Sequence, residues 1–406
     1  MKVLFITHRK PKVPGKGDQV RAFQQMKSLL KKGHIVHCLF QEKDEAYLCC
    51  AASMVNGDNT EKYKIKTKNN HWSAVKSFFL KGYPLSVSLH SFPVLEVFLK
   101  TLTHHFHYDV IHVQSKVLHN FANISISGST VIVDYIDAIS LNLERRYKWT
   151  RNLFEKWAVR GELRRMKKYE AFIKKQCSKA IIISPMDKKF LHSRRAKQTD
   201  VVPNYIDLSY FHMNQFVESR KKALVFTGTM SYAPNVDAAV RLVNDIYLPL
   251  KKTSPDLECW IVGTNPSAEV QKLNKMDGVT VTGFVEDIRH WQWRAAVYVC
   301  PLRFGAGQQN KILEASALGC PIVMSSVTNA GIGFTNNEEA IICEYNEEFI
   351  EQTERLLLNQ QHAEILAKRA RVFVASRFSE EIVADQLVAA YTSNERQYPK
   401  KSEAEE

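Results

Sequence analysis

Within Phe304–Val323, FGAGQQNKILEASALGCPIV, two glycines precede a lysine and a glutamate placed three residues apart. The order suits a phosphate loop, but Lys311 is followed by Ile312, and the G-x-x-x-x-G-K-[ST] spacing of triphosphate loops is absent. The loop follows an apolar strand pattern, AVYVCPL, and opens a helix pattern with Ile312, Leu313, Ala317 and Leu318 as its apolar positions. A strand, a glycine loop and a helix N-terminus together gather unpaired backbone N–H groups at a positive helix end, which is an anion site. Lys311 adds a point charge suited to a diphosphate. Glu314 has the wrong sign for phosphate, but a carboxylate accepts two hydrogen bonds at once and so suits a ribose diol. On spacing alone the two could equally form an i,i+3 surface pair, which contributes only a few tenths of a kcal/mol.

Asp134 and Asp137 in VIVDYIDAIS, and His112 in YDVIHVQS, stand at the carboxyl ends of predicted strands. Open α/β sheets place functional side chains there. A carboxylate in such a place could take a proton from a hydroxyl or stabilise developing positive charge. Asp137 could instead cap the following helix, and His112 could serve the strand end structurally.

The elements that must hold these residues follow a repeated pattern of short apolar strand and amphipathic helix in both halves of the chain. KVLFITH, HIVHCLF, YDVIHVQS, STVIVDYID and AIIIS read as strands of a first parallel sheet. Its first helix shows Val20, Phe23, Met26, Leu29 and Leu30 on one face, with Gly33 as a left-handed cap. KALVFTG, LECWIVG, VTVTGF, AVYVCPL, PIVMSS and AIICEY make a second series. The expectation is an α/β chain of two Rossmann-like domains, 1–205 and 206–376, facing across a cleft. A helix over 377–393 follows, and a disordered tail covers 394–406. The break falls in TDVVPNYIDLSYF.

With 406 residues, 45% hydrophobic and 24% charged, the chain is long enough for two cores. No run reaches the roughly 18 apolar residues of a membrane-spanning helix, and the apolar start is too short for a signal peptide. The eight cysteines form no C-x-x-C pair and lie largely in apolar runs, which points to free thiols in a reducing cytoplasm. The sequon Asn123-Ile124-Ser125 would matter only in a secreted eukaryotic protein. The formal charge of +14 is uneven, because residues 144–175 hold twelve Lys or Arg against four Glu. Such a stretch could meet nucleic acid, anionic head groups or a phosphorylated substrate, or be a solvated helix face.

PLRFGAGQQNKILEASALGCPIV, with TGFVEDIRHWQWRAAVYVC before it, resembles the donor-nucleotide motif of GT-B glycosyltransferases of the family 4 group. KALVFTGTMSYAPNVDAA, VVPNYIDLSYF and KPKVPGKGDQVRAFQQMKSLLKKGHIVHCLF are similar to three further segments of that group in the same order, closest to bacterial sugar transferases of exopolysaccharide assembly. The resemblance implies that Glu314 takes the ribose hydroxyls. It gives the diphosphate to Lys311 with the loop amides of Gly307 to Asn310. It also implies that Phe284 and Val285 hold the nucleobase, and that Gly228 and Thr229 form the first turn near the nucleotide. Gly15 and Gly17 would bring the first domain's loop close to sugar and phosphate, an approach that residues without Cβ permit. The resemblance further implies that the helix over 377–393 packs back on the first domain, and it implies no cofactor or metal.

Two departures stand out. Ala306 replaces the first glutamate of the family's E-x7-E motif, and Thr229 stands where relatives often carry arginine. In relatives the first touches the donor sugar and the second supports the leaving diphosphate. Arg21 or Arg303 could substitute. The basic stretch, with Trp149, Phe154, Trp157 and Tyr169 among its cations, reads as an interfacial helix.

The expected activity is therefore transfer of a sugar, with retention, from a UDP- or GDP-linked donor to a glycan or lipid-linked acceptor. The expected place is the inner face of the cytoplasmic membrane. An inverting route would use Asp137 as base. A nucleotide-sugar epimerase of the same fold, a silent nucleotide-sugar binder and a nucleic-acid-binding protein are the rivals. The last lacks any recognised nucleic-acid module.

Overall fold

The computed structural model describes residues 1–393 apart from 43–44, 58–60, 67–70, 92–94, 96–97, 100, 103–104, 122–127, 151, 178, 193–197 and 214–219. The sequon at Asn123 and the tail 394–406 lie outside the described residues.

The first sheet contains β1 (Lys2–Thr7), β2 (Ile35–Glu42), β3 (Glu45–Cys50), β4 (Glu61–Lys66), β5 (Val110–Gln114), β6 (Thr130–Asp134), β7 (Lys179–Ile182) and β8 (Gln198–Val201). Their order is β4-β3-β2-β1-β5-β6-β7-β8. Strands β2, β1, β5, β6, β7 and β8 run parallel, as their unbroken apolar runs lead one to expect. An antiparallel edge of β3 and β4 departs from the all-parallel expectation. β3 follows β2 too closely in sequence for a crossover, so only a hairpin can join them.

Period-two alternation sends Val3 and Phe5 to one face and Leu4 and Ile6 to the other, and both faces are covered. The helix Gly17–Lys31 packs Met26 and Leu29 on the first face, together with Val383, Leu387 and Tyr391 of the last helix, Glu380–Thr392. Gly33 follows the first helix with φ of 79°. On the second face the 24-residue helix Leu153–Gln176 buries Met166, Tyr169 and Ile173.

The second sheet contains β9 (Lys221–Thr227), β10 (Glu258–Val262), β11 (Val279–Gly283), β12 (Ala295–Cys300), β13 (Ile322–Ser325) and β14 (Ile341–Cys343). Its order is β11-β10-β9-β12-β13-β14, and all the described pairings are parallel. This doubly wound order reverses between β9 and β12, and ligands of such sheets bind outside the strand ends at that point. The chain passes from the first core to the second between Tyr205 and Ile206, and returns after Phe378.

Candidate active site

The loop after β12 leads into the helix Asn310–Ala317, with Gly307 in the left-handed region at φ 72°. Gly307 faces the first domain closely: a Cβ there would lie 3.2 Å from Cβ of Asp137. Its amide points to Oδ1 of buried Asp187, 3.4 Å away, rather than into open space. The side chains of Gln308 and Asn310 turn toward Asn204. Oε1 of Gln308 accepts from the Asn204 amide at 2.7 Å, and Oδ1 of Asn310 accepts from Asn204 Nδ2 at 3.0 Å. Of the expected donor contributions from Asn310, its place at the start of the helix is what the geometry leaves available.

Lys311 and Glu314 do not form the surface pair that their spacing allows. Nζ of Lys311 donates to Oδ1 of Asn235 at 2.5 Å and sits 4.5 Å over the Phe226 ring. Burial pushes the Lys311 ammonium below its ordinary pKa. Glu314 is half-buried, and burial, opposed by the Lys311 charge, raises its carboxyl to about 7. Among the described residues that carboxyl has no hydrogen-bond partner. A partly desolvated carboxyl with unused acceptors beside a cation is the combination a diol and a diphosphate would satisfy.

Gly228 lies against this pair, at the end of β9 and at the point where the strand order reverses. A Cβ at Gly228 would come within 2.6 Å of Asn235 Nδ2 and 3.2 Å of Lys311 Nζ. The exposed Thr229 gives its carbonyl to Asn235 Nδ2 at 3.0 Å. Asn235 was missed in the sequence. It stands in the first turn of the helix Ala233–Arg241, and nothing in APNVDAA distinguishes it from an ordinary helix-start asparagine. Next along, Gly263 ends β10 with φ 145°, and a Cβ there would fall 1.8 Å from the Gly228 carbonyl oxygen. Gly263→Ala is therefore expected to cost roughly 2–3 kcal/mol, through overlap and an unfavourable φ. Urea unfolding checks this, and a variant as stable as the parent would contradict the close approach. Beyond Gly283, Phe284 is 74% exposed while Val285 packs on the core. The two thus form one exposed ring and one anchor at the end of β11.

The first domain divides the expected catalytic group. Asp137 is half-buried and faces the loop. Burial, then the neighbouring Asp187 carboxylate, raises its carboxyl to about 7. Asp187, anchored by the Ser184 hydroxyl and accepting from the Ala138 amide at 3.1 Å, was not anticipated. The helix cap expected for Asp137 does not form, since Ala138 precedes Ile139 without a side-chain cap.

Asp134, His112 and Arg21 require correction. All three are buried, at 0–1% exposure, and do not reach the cleft. Arg21 donates to Asp134 through Nε at 2.7 Å and Nη2 at 3.2 Å, and to Asn204 Oδ1 at 3.0 Å. His112 stacks on Phe5 at 4.2 Å, has Nδ1 2.6 Å from the Tyr391 hydroxyl, and has Nε2 3.5 Å from Asp134. The network supports the site from below. Oδ1 of Asp134 accepts from the amide of Ile136, which it helps hold at φ 65°, a strained value for a β-branched residue. That kink immediately precedes Asp137.

Arg303 also differs from expectation. It pairs with Asp237 and lies 5.0 Å over the Trp149 ring, beside a cavity of about 290 Å³ lined in part by Arg241 and Tyr345. The basic residue that does touch the glycine loop is Arg145, whose Nη1 donates to the Gly305 carbonyl at 2.6 Å.

At the amino end of the chain, Gly15 and Gly17 are both exposed. A Cβ at Gly15 would crowd the Lys12 carbonyl at 2.7 Å, whereas Gly17 has open space and starts a helix. Between them and the sheet lies a dyad the sequence reading missed. His8 Nε2 is 2.9 Å from Asp18 Oδ2, and His8 Nδ1 is 2.6 Å from Gln114 Oε1. Burial lowers the His8 pKa, with Asp18 opposing. Burial also works against ionised Asp18, but His8 and Arg9 hold its carboxyl below the ordinary value. The signal was present: His8 directly follows β1, and the first sheet reverses its order between β1 and β5.

Residues 221–359 match the profile of the family described as glycosyl transferases group 1. No curated protein matches the chain. Among solved structures, sucrose-phosphate synthase from Thermosynechococcus elongatus superimposes with a TM-score of 0.67 at 16% identity, over 96% of this chain and 98% of that one. HepE of Anabaena, in complex with UDP and glucose, gives 0.65 at 14% identity, over 97% and 100%. WaaG, a glycosyltransferase involved in lipopolysaccharide biosynthesis, gives 0.63 at 13% identity, over 97% and 100%. The fold is thus that of GT-B glycosyltransferases, as expected, with two parallel-stranded domains meeting at their strand ends.

Proposed function

We propose that this protein is a family 4 type glycosyltransferase that moves a hexosyl group from a UDP- or GDP-linked sugar to a glycan or lipid-linked acceptor in exopolysaccharide assembly. Transfer is with retention, needs no metal, and takes place at the inner face of the cytoplasmic membrane. The observation that carries the reading is the half-buried Glu314 carboxyl interacting with the Lys311 ammonium, which lies against Gly228, in the helix whose preceding loop faces Asp137 at Gly307. HepE of Anabaena, which shares the fold, is in complex with UDP and glucose.

In this reading Glu314 accepts the ribose hydroxyls and Lys311 neutralises the departing diphosphate, assisted by the start of the helix Asn310–Ala317. Phe284 and Val285 flank the base. Thr229 lines the turn, and Gly15 and Gly17 close over the sugar. Ala306 leaves the sugar-contacting position without a carboxylate, so sugar selection passes to other groups in the cleft.

While the acceptor proton passes to the departing diphosphate on the same face, Asp137 faces the loop and stabilises the positive charge that develops on the sugar ring. Its carboxyl at about 7 must be ionised to do so, so kcat/KM is expected to rise with pH to a plateau above about 7. Asp137→Asn should remove that limb and lower kcat by roughly 100-fold or more, the ordinary size of one electrostatic contribution to the transition state. A variant that keeps the limb assigns it elsewhere. The reading as a whole is tested by incubating the full chain with UDP- and GDP-sugars, with and without a lipid-linked glycan acceptor. Sugar transfer only with the acceptor supports it. Release or epimerisation of the sugar without any acceptor favours the epimerase, and binding without turnover favours a silent binder, which Ala306 and Thr229 would suit.

A further inference from the structure

The cavity of about 290 Å³ lies at the carboxyl ends of three strands: Leu302 follows β12, Ser325 ends β13 and Glu344 follows β14. It is separate from the nucleotide pair, because none of Gly228, Asn235, Lys311 or Glu314 lines it. The first domain contributes Trp149, the last residue of the helix Ile139–Trp149. The size falls at the lower edge of the roughly 300–1,000 Å³ of small-ligand sites.

Arg241 fixes the frame. It is 7% exposed and donates through Nη1 to the Pro301 carbonyl at 3.1 Å and through Nε to Oδ1 of Asn346 at 2.8 Å, which ties the ends of β12 and β14 together. Arg303 is engaged as well, since its Nε donates to Asp237 at 2.9 Å and its guanidinium lies 5.0 Å from the centre of the Trp149 ring. One turn before Trp149, Arg145 holds the Gly305 carbonyl, so the same helix braces the cavity and the glycine loop.

The groups left unused in the lining define the ligand. Trp149 is 51% exposed and Tyr345 68%, and among the described residues the Trp149 indole N–H and the Tyr345 hydroxyl have no hydrogen-bond partner. The exposed carboxylates of Glu344 and Glu347 likewise have no hydrogen bond or ion pair among the described residues. A sugar ring matches this set: its C–H face lies on aromatic rings, while its hydroxyls donate to carboxylates and accept from N–H and O–H groups. A phosphate would instead meet two unpaired carboxylates, with both arginines already engaged. A lipid chain would find Leu302 and Val327 as its aliphatic walls and little else. A metal ion lacks ligands, because among the described residues no three His, Cys, Asp or Glu are placed to share one.

We propose that this cavity is a saccharide subsite that takes a neutral glycosyl residue of a glycan chain, stacked on Trp149 and Tyr345 and hydrogen-bonded by Glu344 and Glu347. Leu302 and Arg303 lead directly into the loop that faces Asp137, so a residue held here positions a longer acceptor without touching the donor nucleotide. The subsite deepens the transfer reading by naming a glycan chain as acceptor, but saccharide binding itself does not depend on transfer.

The test is titration of the full chain with neutral mono- to tetrasaccharides of glucose, mannose, galactose and N-acetylglucosamine, followed by tryptophan fluorescence and saturation-transfer NMR, with and without UDP-glucose or GDP-mannose. Saturable binding of at least one saccharide is expected, and the nucleotide-sugars should leave it intact. Trp149→Ala, read by NMR, and Tyr345→Ala should each weaken it about tenfold through the lost ring contact. Glu344→Ala with Glu347→Ala should weaken it about tenfold or more through lost charge-assisted hydrogen bonds. All four side chains are exposed, so the variants should fold, and an unchanged urea midpoint confirms that they do. No binding by any saccharide of the panel, variants that bind like the parent, or a stronger response to inorganic phosphate than to any sugar would each overturn the proposal. Displacement by a nucleotide-sugar but not by the free nucleotide would assign the cavity to the donor's own sugar and overturn it too. Lys311→Ala should lose nucleotide-sugar binding and keep saccharide binding, so the two readings fail separately.

Discussion

Lys311→Ala is expected to weaken nucleotide-sugar binding about 100-fold, because a charge-assisted contact to a diphosphate in a partly desolvated cleft contributes about 1.5–3 kcal/mol. The stability of the free protein should change little. The ammonium is already disfavoured by burial, and its partners are the Asn235 amide oxygen and the Phe226 ring face. The measurement is a thermal-shift panel with UDP- and GDP-sugars, in which a ligand well above its Kd stabilises the parent by several kcal/mol. A 100-fold loss of affinity removes about 2.7 kcal/mol of that. Glu314→Ala should show a similar loss through the ribose. A parent that no nucleotide-sugar stabilises, or variants that shift as the parent does, would remove the donor site from this loop.

Glu314 adds a pH signature to the same experiment. Its native carboxyl, at about 7, lies above the ordinary value of about 4.3 for an unfolded glutamate. Between those values the native protein binds more protons than the unfolded chain, so unliganded stability falls as pH rises through that window. Nucleotide binding should strengthen over the same range as the carboxylate becomes available to the diol. Glu314→Gln should flatten the binding trend and reduce the stability trend, of which Asp137, also raised to about 7, keeps its own share.

Arg21→Ala is expected to cost about 3–5 kcal/mol of stability, the usual penalty for stranding one member of a buried ion pair. Arg21 is 1% exposed and Asp134 is fully buried, so the carboxylate would keep only Gln25 Nε2, the Ile136 amide and the more distant His112 as neighbours. Burial opposes ionisation of Asp134, while the charges and hydrogen bonds of Arg21 and His112 hold its carboxyl well below the ordinary range. A depressed native pKa gives stability that is present above about pH 4 and lost as pH falls below it. The pair also reaches the cleft indirectly, because Arg21 holds Asn204, and Asn204 holds Gln308 and Asn310. Urea unfolding together with turnover per folded molecule separates the possibilities. A large fall in kcat at unchanged stability would restore Arg21 to the expected role of substituting for the diphosphate-supporting arginine that Thr229 replaces.

The sheets, the glycine loop between β12 and the helix Asn310–Ala317, and the change of core near Ile206 were legible because they rest on local rules. Unbroken apolar runs make buried parallel strands, and a glycine loop between strand and helix makes an anion site wherever it occurs. Glu314 and Lys311 were singled out by side-chain chemistry and by the family resemblance, spacing alone leaving a surface pair equally open, and both lie in the helix that follows β12. The antiparallel edge of β3 and β4 was not legible, because short edge strands carry a weak pattern.

The sequence by itself could not rank three polar groups at strand ends. Asp134, Asp137 and His112 occupy equivalent places in their segments, and only packing distinguishes them. Arg21 and Tyr391, 113 and 257 positions away from Asp134, close over Asp134 and His112, while the φ of 65° at Ile136 turns the chain so that Asp137 faces Gly307. His8 and Asp18 likewise became a pair only when β1 and β5 were set side by side. Side-chain type and spacing singled out which groups of this protein could do chemistry. The tertiary structure decided which of those groups meet across the cleft, because burial and long-range pairing depend on contacts between segments that are distant along the chain.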